Sequence, residues 1–141
     1  MSTPNDPLHS QQNIRVYYED TDAGGVMYYA NYLKFFERSR TEWLRGLGVQ
    51  QSSLADDENL LFVVKNVQIQ YRKPARLDDL LEINSRITRV GPASITFHQT
   101  AYCRGELLCE SDIQVCCVHG TSMRPAPLTP ELRTLLEKAK N

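Results

Sequence analysis

Between Tyr28 and Leu47 the apolar residues of this chain fall at helical spacing, whereas along most of the remaining chain they alternate. Tyr29, Tyr32, Leu33, Phe36, Trp43, Leu44 and Leu47 form one stripe, and Lys34, Glu37, Arg38, Glu42 and Arg45 fill the other side. That pattern predicts one amphipathic helix of about five turns. Gly46 and Gly48 end it. The stripe is wide and aromatic, as expected of a helix lying across a sheet. Ser39 and Arg40 interrupt it, so part of that face is crowded or polar.

The alternating segments predict strands. Ile14–Tyr18 is a short first strand ahead of the helix, and Ser52–Glu58 suits a shorter second helix after it. Leu61–Tyr71 alternates with a change of frame between Val64 and Val67, which predicts a bulge. Pro74 and Asp78-Asp79 then turn the chain into Leu80–Val90, and Gly91-Pro92 turns it into Ser94–Cys103. That strand sets Ile95, Phe97, Gln99 and Ala101 on one face. Arg104-Gly105 is a hairpin turn before Leu107–His119. Thr129 as N-cap, Pro130 at the first helical position and Glu131 behind it start a terminal helix that runs to Lys138. Strand, helix, then four strands in succession is an α+β order with one sheet and one long helix. A doubly wound nucleotide fold is not expected, and neither GxGxxG nor GxxxxGK[ST] occurs.

A chain of 141 residues suits one domain. Residues 1–12 are polar with two prolines and read as a loose arm, leaving 13–141 as the domain. No apolar run approaches the ~20 residues of a membrane-spanning helix, and the N-terminus lacks the apolar core of a signal peptide. The expectation is a cytoplasmic protein with no membrane span. Sixteen basic and 17 acidic side chains give a net charge of -1, against a strongly basic nucleic-acid binder. Charge is uneven, however. Residues 65–89 hold six basic and three acidic groups, a stretch suited to a phosphorylated small ligand or merely to solvated turns. Cys103, Cys109, Cys116 and Cys117 are expected to be reduced packing residues. Cys116, Cys117 and His119 make a poor zinc set, because adjacent strand residues point to opposite faces. No metal or other cofactor is expected.

The chemistry concentrates between Tyr17 and Tyr32. Glu19, Asp20 and Asp22 bring three carboxylates within four residues, and Gly24-Gly25 leads on to the start of the long helix. Free N–H groups at a helix start suit developing negative charge, and a carboxylate beside them can attack or activate water. An acidic loop that only caps the helix dipole is the plainer alternative. The residues themselves do not choose among the three carboxylates.

Arg15-Val16, the run Tyr18-Glu19-Asp20-Thr21-Asp22-Ala23-Gly24-Gly25-Val26, Tyr28 and Ala30-Asn31-Tyr32 resemble the signature of the 4-hydroxybenzoyl-CoA thioesterase branch of the hotdog-fold superfamily. They are most similar to its Tol-Pal-associated acyl-CoA thioesterases, the YbgC type. Glu37-Arg38-Ser39-Arg40-Thr41-Glu42 and Val67-Gln68-Ile69-Gln70-Tyr71 resemble it too, and the likeness covers roughly residues 13–120. It implies a hotdog domain, an antiparallel sheet of about five strands wrapped around one long central helix. It implies hydrolysis of acyl-CoA to the free acid and CoA. Asp22 matches the catalytic aspartate, as nucleophile or general base, and the backbone N–H of Tyr29 matches the group that polarises the thioester carbonyl. Gly25, Val26, Val64, Lys65 and Arg89 are the candidate substrate-binding residues. A homodimer or homotetramer is implied, with the pocket between subunits.

Two departures from the family pattern stand out. Tyr29 replaces the His frequent in YbgC-type proteins, and a phenol is no base at neutral pH. The turn Val90-Gly91-Pro92-Ala93 lacks the basic cluster that holds CoA phosphates in the 4-hydroxybenzoyl-CoA enzyme. Arg89, Arg72, Lys73 or Arg76 would have to replace it, or the acyl group arrives on an acyl carrier protein. A weakly catalytic acyl-binding scaffold linked to phospholipid synthesis is the alternative of a different class. A dehydratase fits less well, since His9, His98 and His119 all lie away from the acidic run.

Overall fold

Residues 9–140, described by a computed structural model, form β1 (His9–Arg15), α1 (Asn31–Gly46), α2 (Gln51–Glu58), β2 (Leu60–Tyr71), β3 (Leu80–Val90), β4 (Ser94–Cys103), β5 (Glu106–His119) and α3 (Pro130–Ala139). All pairings are antiparallel, in the order β1-β3-β4-β5-β2. The bulge lies where the frame change predicts it: the β2–β5 register shifts between Val64 and Asn66. Arg104 and Gly105 take φ values of 51 and 78 at the predicted hairpin turn. Among the described residues no helix is long and apolar enough to cross a membrane.

The first strand differs from expectation. It runs from His9 to Arg15 rather than from Ile14 to Tyr18, so residues 9–12 of the expected arm are paired with β3, while residues 1–8 lie outside the described residues. The reason is position. β1 is an edge strand, and an edge needs few apolar side chains to hold its place. Tyr17 and Tyr18 leave the sheet because Tyr18–Asp20 close a 3-10 turn, whose Asp20 Oδ2 accepts the Tyr17 N–H at 2.9 Å.

The long helix also starts later than predicted, at Asn31 rather than Tyr28, and its buried face is rotated. Leu33 is exposed, whereas Phe35, Ser39 and Arg40 are buried with Tyr32, Phe36, Trp43 and Leu44. The interruption at Ser39-Arg40 is therefore a polar patch of the core. Arg40 Nη1 donates to Gln99 Oε1 at 3.1 Å, and Gln99 Nε2 donates to the Phe36 carbonyl and to Ser85 Oγ, both at 2.8 Å. Around it the core is apolar, with Phe97 edge-on to Trp43 at 6.3 Å. Burying each such side chain contributes about 1.5–3 kcal/mol.

The terminal helix starts as the sequence predicts. The Leu132 N–H donates to Thr129 Oγ1 at 3.2 Å, with Pro130 in the first turn. Thr129→Ala should cost about 1 kcal/mol, read as a lower urea midpoint with an unchanged slope.

Candidate active site

Asp22 opens a tight hairpin that the sequence builds from its two glycines. The Gly24 N–H donates to Asp22 Oδ1 at 2.8 Å and the Gly25 N–H to the Asp22 carbonyl at 3.1 Å. The Asp22 N–H donates to the Val26 carbonyl at 2.9 Å, closing the loop. Each glycine answers a separate demand. A Cβ at Gly24 would stand 3.2 Å from Asp22 Oδ1, and Gly25 has φ +78, which an L side chain rarely adopts. The hairpin is held to the body by the Met27 N–H on the Ala75 carbonyl at 2.7 Å. One oxygen of the exposed Asp22 carboxylate is thereby fixed, and Oδ2 accepts no hydrogen bond among the described residues.

The start of α1 is tied to the same loop by Asp20. Its carbonyl accepts the Tyr28 N–H and the Asn31 side-chain amide, both at 2.9 Å. The first helical turn is tight: Asn31, Tyr32 and Leu33 donate to the carbonyls of Tyr28, Tyr29 and Ala30. The N–H groups of Tyr29 and Ala30 make no hydrogen bond among the described residues. They are thus the amides at this helix start that remain open to an incoming acceptor.

The three carboxylates that the sequence leaves equivalent are separated by the fold. Asp22 lines a cavity of about 280 Å³ with Val26, Tyr29, Tyr32, Tyr71, Arg72 and Lys73. Glu19 and Asp20 line a different one, with Arg15, Arg38 and Glu42. Tyr29 presents its ring edge-on to Tyr71 at 5.3 Å, and Tyr71 packs on Tyr32 at 5.9 Å. Arg72 donates to Glu110 at 2.8 Å and Lys73 pairs with Glu106, so the cationic rim is largely neutralised. Tyr71 is a wall of this cavity that the sequence reading leaves out. Its only signal is its place at the end of an alternating strand.

The other candidates scatter. Gly25 shapes the turn without lining the cavity. Val64 lines a separate cavity, Lys65 is the unpaired residue of the bulge, and Arg89 is exposed on β3 opposite Thr96. Val64 is seven residues along β2 from Tyr71 and Arg89 nine along β3 from Leu80. At ~3.3 Å per residue these are about 23 and 30 Å, too far to meet a thioester held at Asp22 of the same chain.

The cysteines offer no nucleophile. All four are buried, and burial pushes the Cys109 thiol up to about 12. Among the described residues no three His, Cys, Asp or Glu side chains are placed to hold a metal ion.

A crystallised probable thioesterase from Bartonella henselae superposes with a TM-score of 0.81 at 35% identity, covering 85% of this chain and 98% of that one. The five-stranded antiparallel sheet with three helices is consistent with the hotdog thioesterases. The acyl-CoA thioesterase YbgC of Haemophilus influenzae is 42% identical over 127 residues, covering 90% of this chain and 93% of its own. The acyl-CoA thioester hydrolase YbgC of Escherichia coli O157:H7 is 46% identical over 116 residues, covering 82% and 86%. With the thioesterase superfamily model matching residues 24–110 as well, from the site loop through most of the sheet, this chain belongs to the thioesterase superfamily.

Proposed function

We propose that this protein hydrolyses acyl-CoA to the free acid and CoA. Asp22 supplies the attacking or water-activating carboxylate, and the Tyr29 N–H takes the carbonyl oxygen as it gains charge. The observation that carries this reading is that the Asp22 carboxylate and Tyr29 line one cavity, where the Tyr29 amide lacks a partner among the described residues. Attack at the thioester carbon moves negative charge onto the oxygen, and the helix start stabilises it. Breaking the C–S bond releases the CoA thiolate, which takes up the proton that the attacking water loses; where Asp22 itself attacks, that water cleaves the mixed anhydride to the free acid and restores the carboxylate. Val26 bounds the acyl group and Gly25 holds the loop's shape. The YbgC relatives, by name acyl-CoA thioesterases, support the same carrier.

In this reading α1 is the central helix around which the sheet curls. The distance of Val64, Lys65 and Arg89 from Asp22 supports a homodimer or larger, in which these residues reach the site of a partner. Sedimentation at micromolar concentration should show no lone 16.1 kDa species. Four free cysteines fit a reducing compartment such as the cytoplasm.

The test is steady-state turnover of aromatic, short, medium and long acyl-CoAs, with the same acyl groups on acyl carrier protein as a second arm. Hydrolysis of at least one acyl-CoA series is expected. Acyl binding without turnover would replace this reading with a scaffold. Chelation by EDTA should leave the rate unchanged, since both groups assigned to the reaction are protein atoms. Loss of rate that zinc restores would overturn that assignment.

A further inference from the structure

The long helix starts without a side-chain cap. Ala30 stands at the N-cap, no side chain there accepts a helical N–H, and the first turn carries no acidic residue. Alanine is among the poorest residues at that position, because it offers no oxygen to the free amides. Asn31, the first helical residue, is turned to another use. Its Nδ2 donates back along the chain to the Asp20 carbonyl at 2.9 Å. Asn31 is 7% exposed and does not line the Asp22 cavity.

That one carbonyl closes a small ring of chain. It also accepts the Tyr28 N–H at 2.9 Å, and the Tyr28 carbonyl accepts the Asn31 N–H, again at 2.9 Å. Tyr28 and Asn31 are thereby both held to Asp20. Tyr29 and Ala30, whose amides are free among the described residues, form the span between them. The anchor is itself fixed, since the Asp20 N–H donates to the Tyr17 carbonyl and Asp20 Oδ2 accepts the Tyr17 N–H, both at 2.9 Å. Donors that meet developing charge are effective when they are fixed in place before the reaction. We propose that Asn31 is a positioning residue for the thioester reaction, its amide fixing the span from Tyr28 to Asn31 so that the Tyr29 N–H stays aimed at the carbonyl oxygen. The inference rests on the roles assigned above to Asp22 and Tyr29. It adds a residue that acts through the helix start and touches no substrate.

Asn31→Leu removes the donor at similar size and leaves the Asp20 carbonyl its bond from the Tyr28 N–H, so the fold should survive, as a thermal melt checks. It should lower kcat by about 10–10²-fold, the cost of a misplaced group in the transition state, with KM within about two-fold. Asn31→Asp keeps the size and adds a charge that suits a helix start, but it cannot donate. It should lose at least as much, whereas a residue that merely starts the helix would tolerate it. A second readout needs no turnover. The acyl-CoA hydrolysed fastest in the turnover series, labelled with carbon-13 at its thioester carbonyl and bound to Asp22→Asn, should show that resonance downfield of the free thioester. Adding Asn31→Leu should remove most of the shift. Equal shifts with and without Asn31, or unchanged kcat in Asn31→Leu or Asn31→Asp, would overturn the role of Asn31 and leave Asp22 and Tyr29 as assigned. No shift in Asp22→Asn itself would overturn the polarising role of the helix start, and the role of Asn31 with it.

Discussion

Asp22→Asn should lower kcat for acyl-CoA hydrolysis by ~10²–10⁴-fold, the usual contribution of a general base or nucleophile, while leaving the fold and substrate binding intact. Asn retains an oxygen to accept the Gly24 N–H, so the hairpin that starts at residue 22 survives. What it lacks is a lone pair basic enough to attack the thioester carbon or take a proton from water. The loss should fall in kcat with little change in KM, since an interaction made only in the transition state is removed. Asp20→Asn is the matched control. Asp20 is occupied by the Tyr17 N–H and lines the other cavity, so its charge does not bear on the thioester. It should cost less than ten-fold. Comparable small losses in both variants would mean that the acidic run only tunes the helix start, and the assignment of Asp22 would fall.

Gln99→Leu should be the most damaging single change to stability outside the apolar core. Gln99 is fully buried and serves three partners at once, Arg40, Ser85 and the Phe36 carbonyl. Leucine fills the volume and satisfies none of them. A buried neutral group left unpaired costs about 1–3 kcal/mol, and the guanidinium more, so a loss of about 3–5 kcal/mol is expected. A thermal melt should drop by about 10 °C or more. Gln68→Leu, at an exposed β2 position, should stay within about 0.5 kcal/mol. A melt unchanged by Gln99→Leu would mean that this network contributes nothing to the fold.

Features set by neighbours along the chain were legible in the sequence. The frame change at Val64–Val67, the Arg104-Gly105 turn and the Thr129 cap depend on two to four adjacent residues, and each appears where predicted. Alternation even put Gln99 on the inner face of β4, since strand parity holds whatever the side chain. What failed depends on distant partners. β1 was misplaced because Ser10 and Gln11 look like loop, yet Ser10 is buried against β3. Arg40 looked like a gap in the helix stripe because its acceptor lies 59 residues away. At the candidate site, the loop's composition pointed to the segment in which Asp22 and Tyr29 come to line one cavity. Asp22 was singled out from Glu19 and Asp20 by the family resemblance alone; chain spacing does not encode the 3-10 turn beside which the latter two line another cavity.

The bulge in β2 has a consequence for the lineage of such chains. Before it, Phe62 and Val64 oppose the inward residues Cys117 and Val115; after it, Val67, Ile69 and Tyr71 oppose Ile113, Ser111 and Cys109. Even positions face the core on one side of Lys65 and odd positions on the other, so that one residue acts as a phase shifter. Deleting it would turn Val67, Ile69 and Tyr71 outward together and strip the Asp22 cavity of its Tyr71 wall. Substitutions along this strand are therefore graded in their effects, whereas a change of its length by one is all-or-nothing. Drift in sequence can proceed here while drift in spacing cannot.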